Sequence, residues 1–347
     1  MEKVRLAATP SRVRALPIPW LAAACLLTTA GCRGGCGRDQ TGHSAGGTLA
    51  RFPAETQVVV SVDFQRIRTT PLWQRISSLA SEDTEDRRLI QEFTARTGLD
   101  PFRQIHRLVA AFPEEARKSQ AFGVTIEGEG FDEKRLLTYA RDQARLRGTE
   151  LKPRAHGPHT LWETGGPGRV AGFFAGKGRF VLAGGGWAET MSQLAAEPSR
   201  AGAGAESNTT LLRLVERLGT ARSIWMAALV PEQTRAQLRA DPRFGTQASV
   251  MRFGLGLDLG PGLKGELDAE LSNGDDARAL VDRFQTFLRA ARKSPEALLV
   301  GAGPYLDRIS SEASGPRALV RLDLDEGQTG ELIQRLVGLL RLRREKK

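Results

Sequence analysis

Residues 249–271 read SVMRFGLGLDLGPGLKGELDAEL, and this stretch decides the class of fold. From Ser249 to Leu259 apolar residues occupy every second position, and from Leu263 to Leu271 charged residues alternate with apolar ones. A period of two is typical of strands that bury one face. Because Gly260-Pro261-Gly262 between the two runs is a turn sequence, we predict a long antiparallel hairpin.

The turn of this hairpin also matches a nucleotide-binding pattern. Gly260-Pro261-Gly262-Leu263-Lys264-Gly265 has the form G-x-G-x-x-G. A dinucleotide site places that sequence between a strand and a helix, so that the helix N-terminus faces the pyrophosphate. The residues that follow alternate like a strand instead, so we interpret the match as a turn and expect no nucleotide cofactor.

Strand and helix patterns recur on both sides of the hairpin. The clearest helix runs from Asp275 to Arg292, where apolar residues form one stripe. Further strands are predicted at 58–64, 107–112, 121–126, 160–164, 170–175, 179–183, 223–230, 308–312 and 318–324. Further helices are predicted at 72–79, 87–97, 132–147, 187–196, 209–218, 231–240 and 330–343.

A boundary near the middle divides the chain into two halves of similar make-up. Pro198 to Asn208 is poor in bulky apolar residues, as expected of a connection between units. We therefore predict an α+β fold of two similar units, residues 48–200 and 209–347. Each is expected to be an antiparallel sheet with helices packed on one face.

The N-terminal segment has the parts of a secretory signal peptide. Lys3, Arg5, Arg12 and Arg14 precede an apolar run, uncharged from Ala15 to Gly31, that ends on small residues. This run is shorter than the about 20 apolar residues of a spanning helix. We predict a signal peptide at residues 1–31 and a Gly-rich flexible tether at residues 32–47.

The end of this run resembles the lipobox of bacterial lipoproteins. Leu27-Thr28-Thr29-Ala30-Gly31-Cys32 carries the small residues and the cysteine, although Thr29 stands where the family usually has Leu. The resemblance implies lipidation of Cys32, the palmitate-type modification of these proteins, and an anchor of up to three acyl chains. Cys25, followed by two leucines, and Cys36, preceded by Arg33, fit the pattern less well. The start of the body, with Val62-Asp63 and Pro71-Leu72-Trp73, loosely resembles uncharacterised bacterial envelope proteins of no known activity.

The charge balance narrows the class of partner. The chain has a net charge of +10, which falls to +7 once residues 1–31, with four basic residues and one acidic residue, are removed. The arginines are scattered over predicted helices and do not form runs with interleaved aromatics, so we expect no nucleic acid partner. A modest cationic excess favours anionic lipid headgroups or cell-wall polymers.

Metal-type ligands come close together at one place. His156 and His159, with Glu163 four residues on, could supply two imidazoles and a carboxylate to zinc. Gly157-Pro158 between the histidines excludes the helical spacing of zinc proteases. We therefore favour a polar hairpin turn over a metal site here and expect no metal cofactor.

Two further features have a structural and a functional interpretation. Gly184-Gly185-Gly186 lies between a predicted strand and a predicted helix, and could bind an anion through its amides or permit close packing. The last helix ends in cations, which either complement the helix dipole or contact an anionic surface. These residues are Arg341, Arg343, Arg344, Lys346 and Lys347.

No residue cluster predicts a convincing catalytic centre. A dispersed pair of carboxylates, as in glycosidases, remains open because such residues can lie far apart in sequence. We expect a lipid-anchored envelope protein that faces the periplasm or the exterior and has a binding or scaffolding role without catalysis. Its expected partners are the membrane, another envelope protein or a cell-wall polymer. The alternatives are a cell-envelope or extracellular hydrolase and an envelope sensor.

Overall fold

A computed structural model describes residues 44–74, 84–165, 169–197, 202–240, 245–295 and 301–344. The predicted signal peptide, the three cysteines of the chain and most of the predicted tether therefore lie outside the described residues. The same holds for Lys346 and Lys347 at the other end. Within the described ranges no helix is both long and apolar enough to span a membrane.

The strands form one antiparallel sheet of twelve, in the order β11-β12-β10-β9-β8-β1-β2-β3-β7-β6-β5-β4. Their bounds are β1 Thr56–Asp63, β2 Ile105–Pro113, β3 Phe122–Gly128, β4 Leu151–His156, β5 His159–Thr164, β6 Val170–Phe174, β7 Arg179–Gly184, β8 Ile224–Leu229, β9 Val250–Leu259, β10 Leu263–Leu271, β11 Ile309–Ser314 and β12 Arg317–Leu324.

The helices are distributed along the whole described chain. Their bounds are α1 Ala45–Leu49, α2 Phe64–Arg68, α3 Thr84–Thr97, α4 Pro101–Gln104, α5 Ala116–Ser119, α6 Glu133–Leu146, α7 Trp187–Ala196, α8 Thr209–Leu218, α9 Glu232–Ala240, α10 Gly274–Arg292, α11 Gly303–Leu306 and α12 Glu326–Arg344. Short 3-10 turns lie at Ala205–Ser207 and Gly245–Ser249.

The α+β prediction is confirmed, and the hairpin of β9 and β10 is its clearest element. Leu259 pairs with Leu263 across the Gly260–Gly262 turn, and the pairing continues in register to Arg252 and Glu270. The turn reading of the G-x-G-x-x-G match is therefore confirmed. α7 and α8 also have the predicted bounds, since each begins after a clear boundary and carries a regular apolar stripe.

The sheet differs from the prediction of separate sheets with helices on one face. β1 pairs with β8, from Val58 with Ala228 to Val62 with Ile224, so strands from both halves form one sheet. Its centre is covered on both faces: α1, α7 and α8 pack on the face of Val59, whereas α2 packs on the face of Ala110. The reason lies in β1, where Val58, Val59 and Val60 follow one another and both faces must be buried.

The prediction lacks β4 and five short helices, α1, α2, α4, α5 and α11, and β4 and α1 show why. β4 contains Pro153, which disfavours a strand, but β4 is the edge of the sheet, where proline is tolerated. α1 lies at the end of the predicted tether, where glycines indicate a coil. Ser44 caps this short helix and Leu49 is fully buried, so packing stabilises it where propensity does not.

Candidate functional site

A cleft of about 310 Å³ opens where β7 turns into α7, beside β5 and β6. Its wall contains the three-glycine run and two acidic side chains that point toward the same space. The lining residues are Ser119, Gln120, Glu163, Arg169, Ala171, Ala183, Gly184, Gly185, Gly186, Ala188 and Glu189. Of the residues singled out by the sequence, Glu163 and Gly184–Gly186 line this cleft.

The glycine run forms one side of the cleft by close packing. A Cβ on Gly185 would lie 2.5 Å from Cα of Ala121, and one on Gly184 would lie 2.7 Å from the ring of Phe122. Gly185 has φ +60° and Gly186 has φ +87°, which are conformations that favour glycine. The packing interpretation of this run therefore has direct geometric support, and Gly186 sits at the N-cap of α7 with no side chain to cap the helix.

An arginine joins the two acidic residues of the cleft. Arg154 Nε donates to Glu163 Oε1 at 2.8 Å, and Arg154 Nη2 lies 2.5 Å from both Glu163 Oε1 and Glu189 Oε1. The hydrogen bond that Arg154 donates to Glu163, more than any other cause, raises the pKa of Arg154. The side chain of Glu163 is 14% exposed, whereas Glu189 is more open to solvent. Both carboxylates therefore converge on one guanidinium at the wall of the cleft.

The two histidines lie beside the cleft but do not form a ligand set with Glu163. His156 pairs with His159 across the two-residue turn of the β4–β5 hairpin. His159 Nδ1 lies 2.9 Å from Ser192 Oγ on α7, and its ring centroid lies 5.0 Å from that of Phe173. Burial, helped by the neighbouring His156, lowers the pKa of His159, and a hydrogen bond from the ring to the backbone of Ser192 opposes that shift. Among the residues that the structure describes, no group of three His, Cys, Asp or Glu is placed to hold a metal.

This arrangement is suited to binding more directly than to catalysis. Acid–base hydrolysis by a carboxyl pair needs one group that donates a proton and one that attacks or activates water. Here Glu163 Oε1 already accepts twice from Arg154, and Glu189 Oε1 accepts from the same guanidinium. The remaining carboxylate lone pairs can accept hydrogen bonds from hydroxyl or ammonium groups, and Arg169 on the wall can bind an anion.

A second cleft, of about 410 Å³, lies at the far end of the sheet. Three aspartates line it, and each has a partner. Asp307 lies 2.9 Å from Arg292 Nε, Asp323 lies 3.6 Å from Lys264 Nζ, and Asp325 accepts from the backbone of α12 at 2.8 Å. The three aspartates are thus used in ion pairs and in capping a helix. None of the described candidate residues from the sequence lines this second cleft.

The C-terminal cations and one further sequence motif are not among the described residues that line the two clefts. Arg341, Arg343 and Arg344 fall in the last turns of α12, but their side chains are outside the description, as are Lys346 and Lys347. Gly42 to Gly46 matches the G-x-S-x-G form of a nucleophile elbow, a match that sequence reasoning missed. Its Ser44 Oγ accepts from Gly47 N at 3.0 Å and so acts as the cap of α1.

Sequence reasoning also missed two members of the ionic cluster. Arg154 lies on the unpredicted strand β4, and Glu189 lies one turn into α7. Arg154 directly faces Leu161 across the hairpin, two positions from Glu163. The available signal was the alternation Lys152, Arg154, His156, which places charged or polar side chains on one face of a strand.

The fold and the cleft together define an α+β protein built on one large antiparallel sheet with a polar cleft at a strand-to-helix junction. No family model and no curated protein matches the chain. Among solved structures it is similar to two crystal forms of TP0453, a Treponema envelope protein. Crystal form III gives a TM-score of 0.43 at 9% identity over 83% of this chain and 97% of that one. Crystal form I gives 0.40 at 12% identity over 84% and 96%. At these scores we base no functional argument on the similarity.

Proposed function

We propose that the protein is a lipid-anchored protein of the bacterial cell envelope that binds a ligand or partner without transforming it. The observation that carries this proposal is the N-terminal segment, in which a basic start and an apolar run end at Cys32. Lipidation at Cys32 would hold the protein at a membrane, since two or more acyl chains give stable attachment.

The distance from the anchor to the folded body is short. Eleven residues separate Cys32 from Ser44, where the described body begins. A Gly-rich coil of that length has an end-to-end distance of about 20 Å. The body is thus expected to stay close to the membrane surface, within reach of other envelope components.

The polar cleft supports a binding role. Glu163 and Glu189 offer carboxylate acceptors on one wall, and Arg169 offers a cation on another. Cell-wall polymers carry hydroxyl, ammonium and carboxylate groups that complement such a wall. We therefore propose a cell-wall polymer as the ligand of the cleft. The alternative ligand is a segment of another protein that carries hydroxyl, ammonium and carboxylate groups.

A hydrolase acting on the envelope is the second candidate. The observation in its favour is the convergence of Glu163 and Glu189, which lie within hydrogen-bond distance of the same Arg154 nitrogen. The observation against it is that this arginine occupies both carboxylates. If the lipidated protein releases soluble fragments from isolated peptidoglycan sacculi, and Glu163→Gln abolishes release, the hydrolase replaces the binding proposal.

Fatty-acid labelling tests the anchor. We expect label in the wild-type chain and in Cys25→Ala and Cys36→Ala, and none in Cys32→Ala. Label in Cys32→Ala would show that the anchor has been assigned to the wrong residue.

Co-sedimentation with isolated sacculi tests the cleft. Glu163→Gln and Glu189→Gln should each reduce binding, whereas Glu216→Gln, on the exposed side of α8, should leave it unchanged. Equal sedimentation of all variants would exclude the cleft as the binding site.

A further inference from the structure

Three arginines surround a single carboxylate at the ends of the central strands β2, β3 and β7. Arg107 on β2, Glu127 on β3 and Arg179 on β7 are neighbours in register, so their side chains share one face. Arg51, in the loop between α1 and β1, forms an ion pair with Glu127. Arg179 Nε lies 3.7 Å from the same Glu127 oxygen. We call these four residues the arginine cluster.

Arg107 is the most deeply placed member of the arginine cluster. It is 3% exposed, and its side chain donates hydrogen bonds to two neutral hydroxyls: Nε to Ser61 Oγ at 3.1 Å and Nη2 to Thr48 Oγ1 at 3.3 Å. Its Nη1 is enclosed and has no hydrogen-bond partner, and the same is true of Thr125 Oγ1 on the same face. A buried cation that donates only to neutral groups is costly, because its charge has lost water and the one carboxylate beside it, Glu127, is shared with Arg51 and Arg179.

The carboxylates nearby do not balance these cations. Glu127 carries one negative charge against three arginines, which together lower its pKa although its burial acts in the opposite direction. Burial lowers the pKa of Arg107. Asp63, which faces Arg107 across β1 and β2, pairs with Arg66 at 3.4 Å and caps α2. The arginine cluster therefore has an excess of about two positive charges.

We propose that the arginine cluster binds a phosphate group, with Arg107 at its base and Arg51 and Arg179 at its mouth. An inorganic phosphate or phosphomonoester, with a charge of −1.5 to −2, would neutralise this excess of two, and the phosphodiester of a lipid headgroup, with a charge of −1, would neutralise about half of it. Arginine presents its N–H groups in a planar fork that suits phosphate oxygens. Nη1 of Arg107 is the donor that such an oxygen would satisfy.

The position of the arginine cluster favours a phospholipid headgroup as the source of this phosphate. α1, the first described element, lies over Arg107 through the Thr48 contact. Twelve residues separate α1 from Cys32, so this preference for a headgroup rests on the proposed lipid anchor. A free phosphate or a soluble phosphoester has the same chemistry and is the other source.

The test uses the mature chain with Cys32→Ser, which removes the anchor and leaves the arginine cluster. Binding of inorganic phosphate is measured by calorimetry, and flotation is measured with phosphatidylcholine vesicles with or without phosphatidylglycerol. Arg51→Gln and Arg179→Gln should each weaken phosphate binding about tenfold or more, the usual effect of losing one charge-assisted contact. Glu127→Gln should strengthen it, because a competing carboxylate is removed.

Arg222→Gln is the matched control. Arg222 is as exposed as Arg51, lies on the same sheet face and pairs with Asp258 and Glu266, so its loss should leave phosphate binding unchanged. Phosphate binding together with phosphatidylglycerol-dependent flotation, both lost in Arg51→Gln, would assign a headgroup. Phosphate binding without lipid preference would assign a soluble phosphate.

Absence of phosphate binding, or equal binding in Arg51→Gln and Arg222→Gln, would overturn the proposal. Because the protein in these experiments carries no lipid, the result does not depend on Cys32. A failure of the anchor would be seen only in the fatty-acid labelling.

Discussion

Gly185 carries the turn from β7 into α7 and so fixes one wall of the cleft. Its φ of +60° and the 2.5 Å approach to Ala121 both exclude a side chain. Gly185→Ala should lower the free energy of unfolding by about 2–4 kcal/mol, because left-handed strain and overpacking add. Urea denaturation of the folded chain measures this loss.

Gly176→Ala is the control for Gly185. Gly176 has φ +88° but nothing within 4 Å of its Cβ position, so only the strain applies. Its loss should be about 1–2 kcal/mol. Equal losses at the two positions would mean that close packing against Ala121 does not shape the cleft.

His159, beside the cleft, makes the free energy of unfolding depend on pH. Its pKa is lowered by burial, so the folded state favours the neutral ring more strongly than the unfolded state does. Its contribution to stability is complete above the unfolded pKa of about 6.5 and is lost as pH falls through the lower folded pKa. The free energy of unfolding should therefore fall as pH decreases from 7.5 through this window.

His159→Asn tests that dependence, because the asparagine amide can still form a hydrogen bond with Ser192 but does not titrate. Urea denaturation at several pH values and constant ionic strength should give a flatter profile for His159→Asn than for the wild type. Identical profiles would show that another group causes the change.

At the scale of residues, the sequence indicated only part of the cleft. Glu163 and Gly184–Gly186 were singled out by their local patterns, and both line the cleft. Arg154 and Glu189 were not, because their contact with each other spans 35 positions and depends on how α7 packs on the sheet. Cross-strand and helix-to-sheet contacts of this kind leave little mark on local spacing.

At the scale of elements, the β9–β10 hairpin shows how ion pairs from a neighbouring strand and from α8 stabilise a polar face. Arg252 pairs with Glu270 across the hairpin, and Arg217 reaches both Glu270 and Asp268. Arg317 on β12 makes two hydrogen bonds to Asp268, at 3.1 and 2.7 Å. The opposite, apolar face packs against α10. The polar residues of the alternating pattern thus form a ladder of ion pairs across three strands.

Arg317→Met tests this ladder. Asp268 is only 2% exposed, so loss of its two-point partner leaves a buried carboxylate with Arg217 alone at 3.5 Å. We expect a loss of about 1.5–3 kcal/mol in the free energy of unfolding, the usual cost of removing a hydrogen bond to a buried charge. Thermal or urea unfolding measures it.

Arg278→Met is the control for the ladder. Arg278 pairs with Asp275 on the exposed surface of α10, where an ion pair contributes about 0.5 kcal/mol or less. If both variants lose the same small amount, the ladder adds nothing to stability beyond surface pairing.

The bounds of helices and strands were predictable where the apolar residues keep one regular spacing. α7, α8 and the hairpin each carry an unbroken period over nine or more residues, and their bounds agree with the structure to within one residue. β4 was missed because its proline contradicts a strand unless the strand lies at a sheet edge. Edge position is a property of the whole sheet, and local sequence does not contain it.

At the scale of the molecule, the continuity of the sheet was the feature that sequence could not predict. β1 and β8 are separated by about 160 residues, yet they pair over five positions in the centre of the sheet. Each would be an edge strand if the halves formed separate sheets, with a row of unpaired N–H and C=O groups. Both strands are rich in apolar residues on both faces, which is typical of central strands, but many partners would satisfy that pattern.

The two halves of the chain share one hydrophobic core, so neither half is expected to fold without the other. Leu49, Phe52 and Val59 from the first half and Leu211 and Trp225 from the second belong to one buried cluster. Residues 202–347 alone should therefore fail to give a monomer with a cooperative unfolding transition, because β8 and the inner side of α8 would be exposed. As a control, a protease site inserted between Glu197 and Gly202 should allow the full chain to be cut there while the two fragments still elute together. A monomeric 202–347 fragment that melts at the temperature of the intact chain would show instead that each half folds on its own, and that the β1–β8 pair joins two finished units.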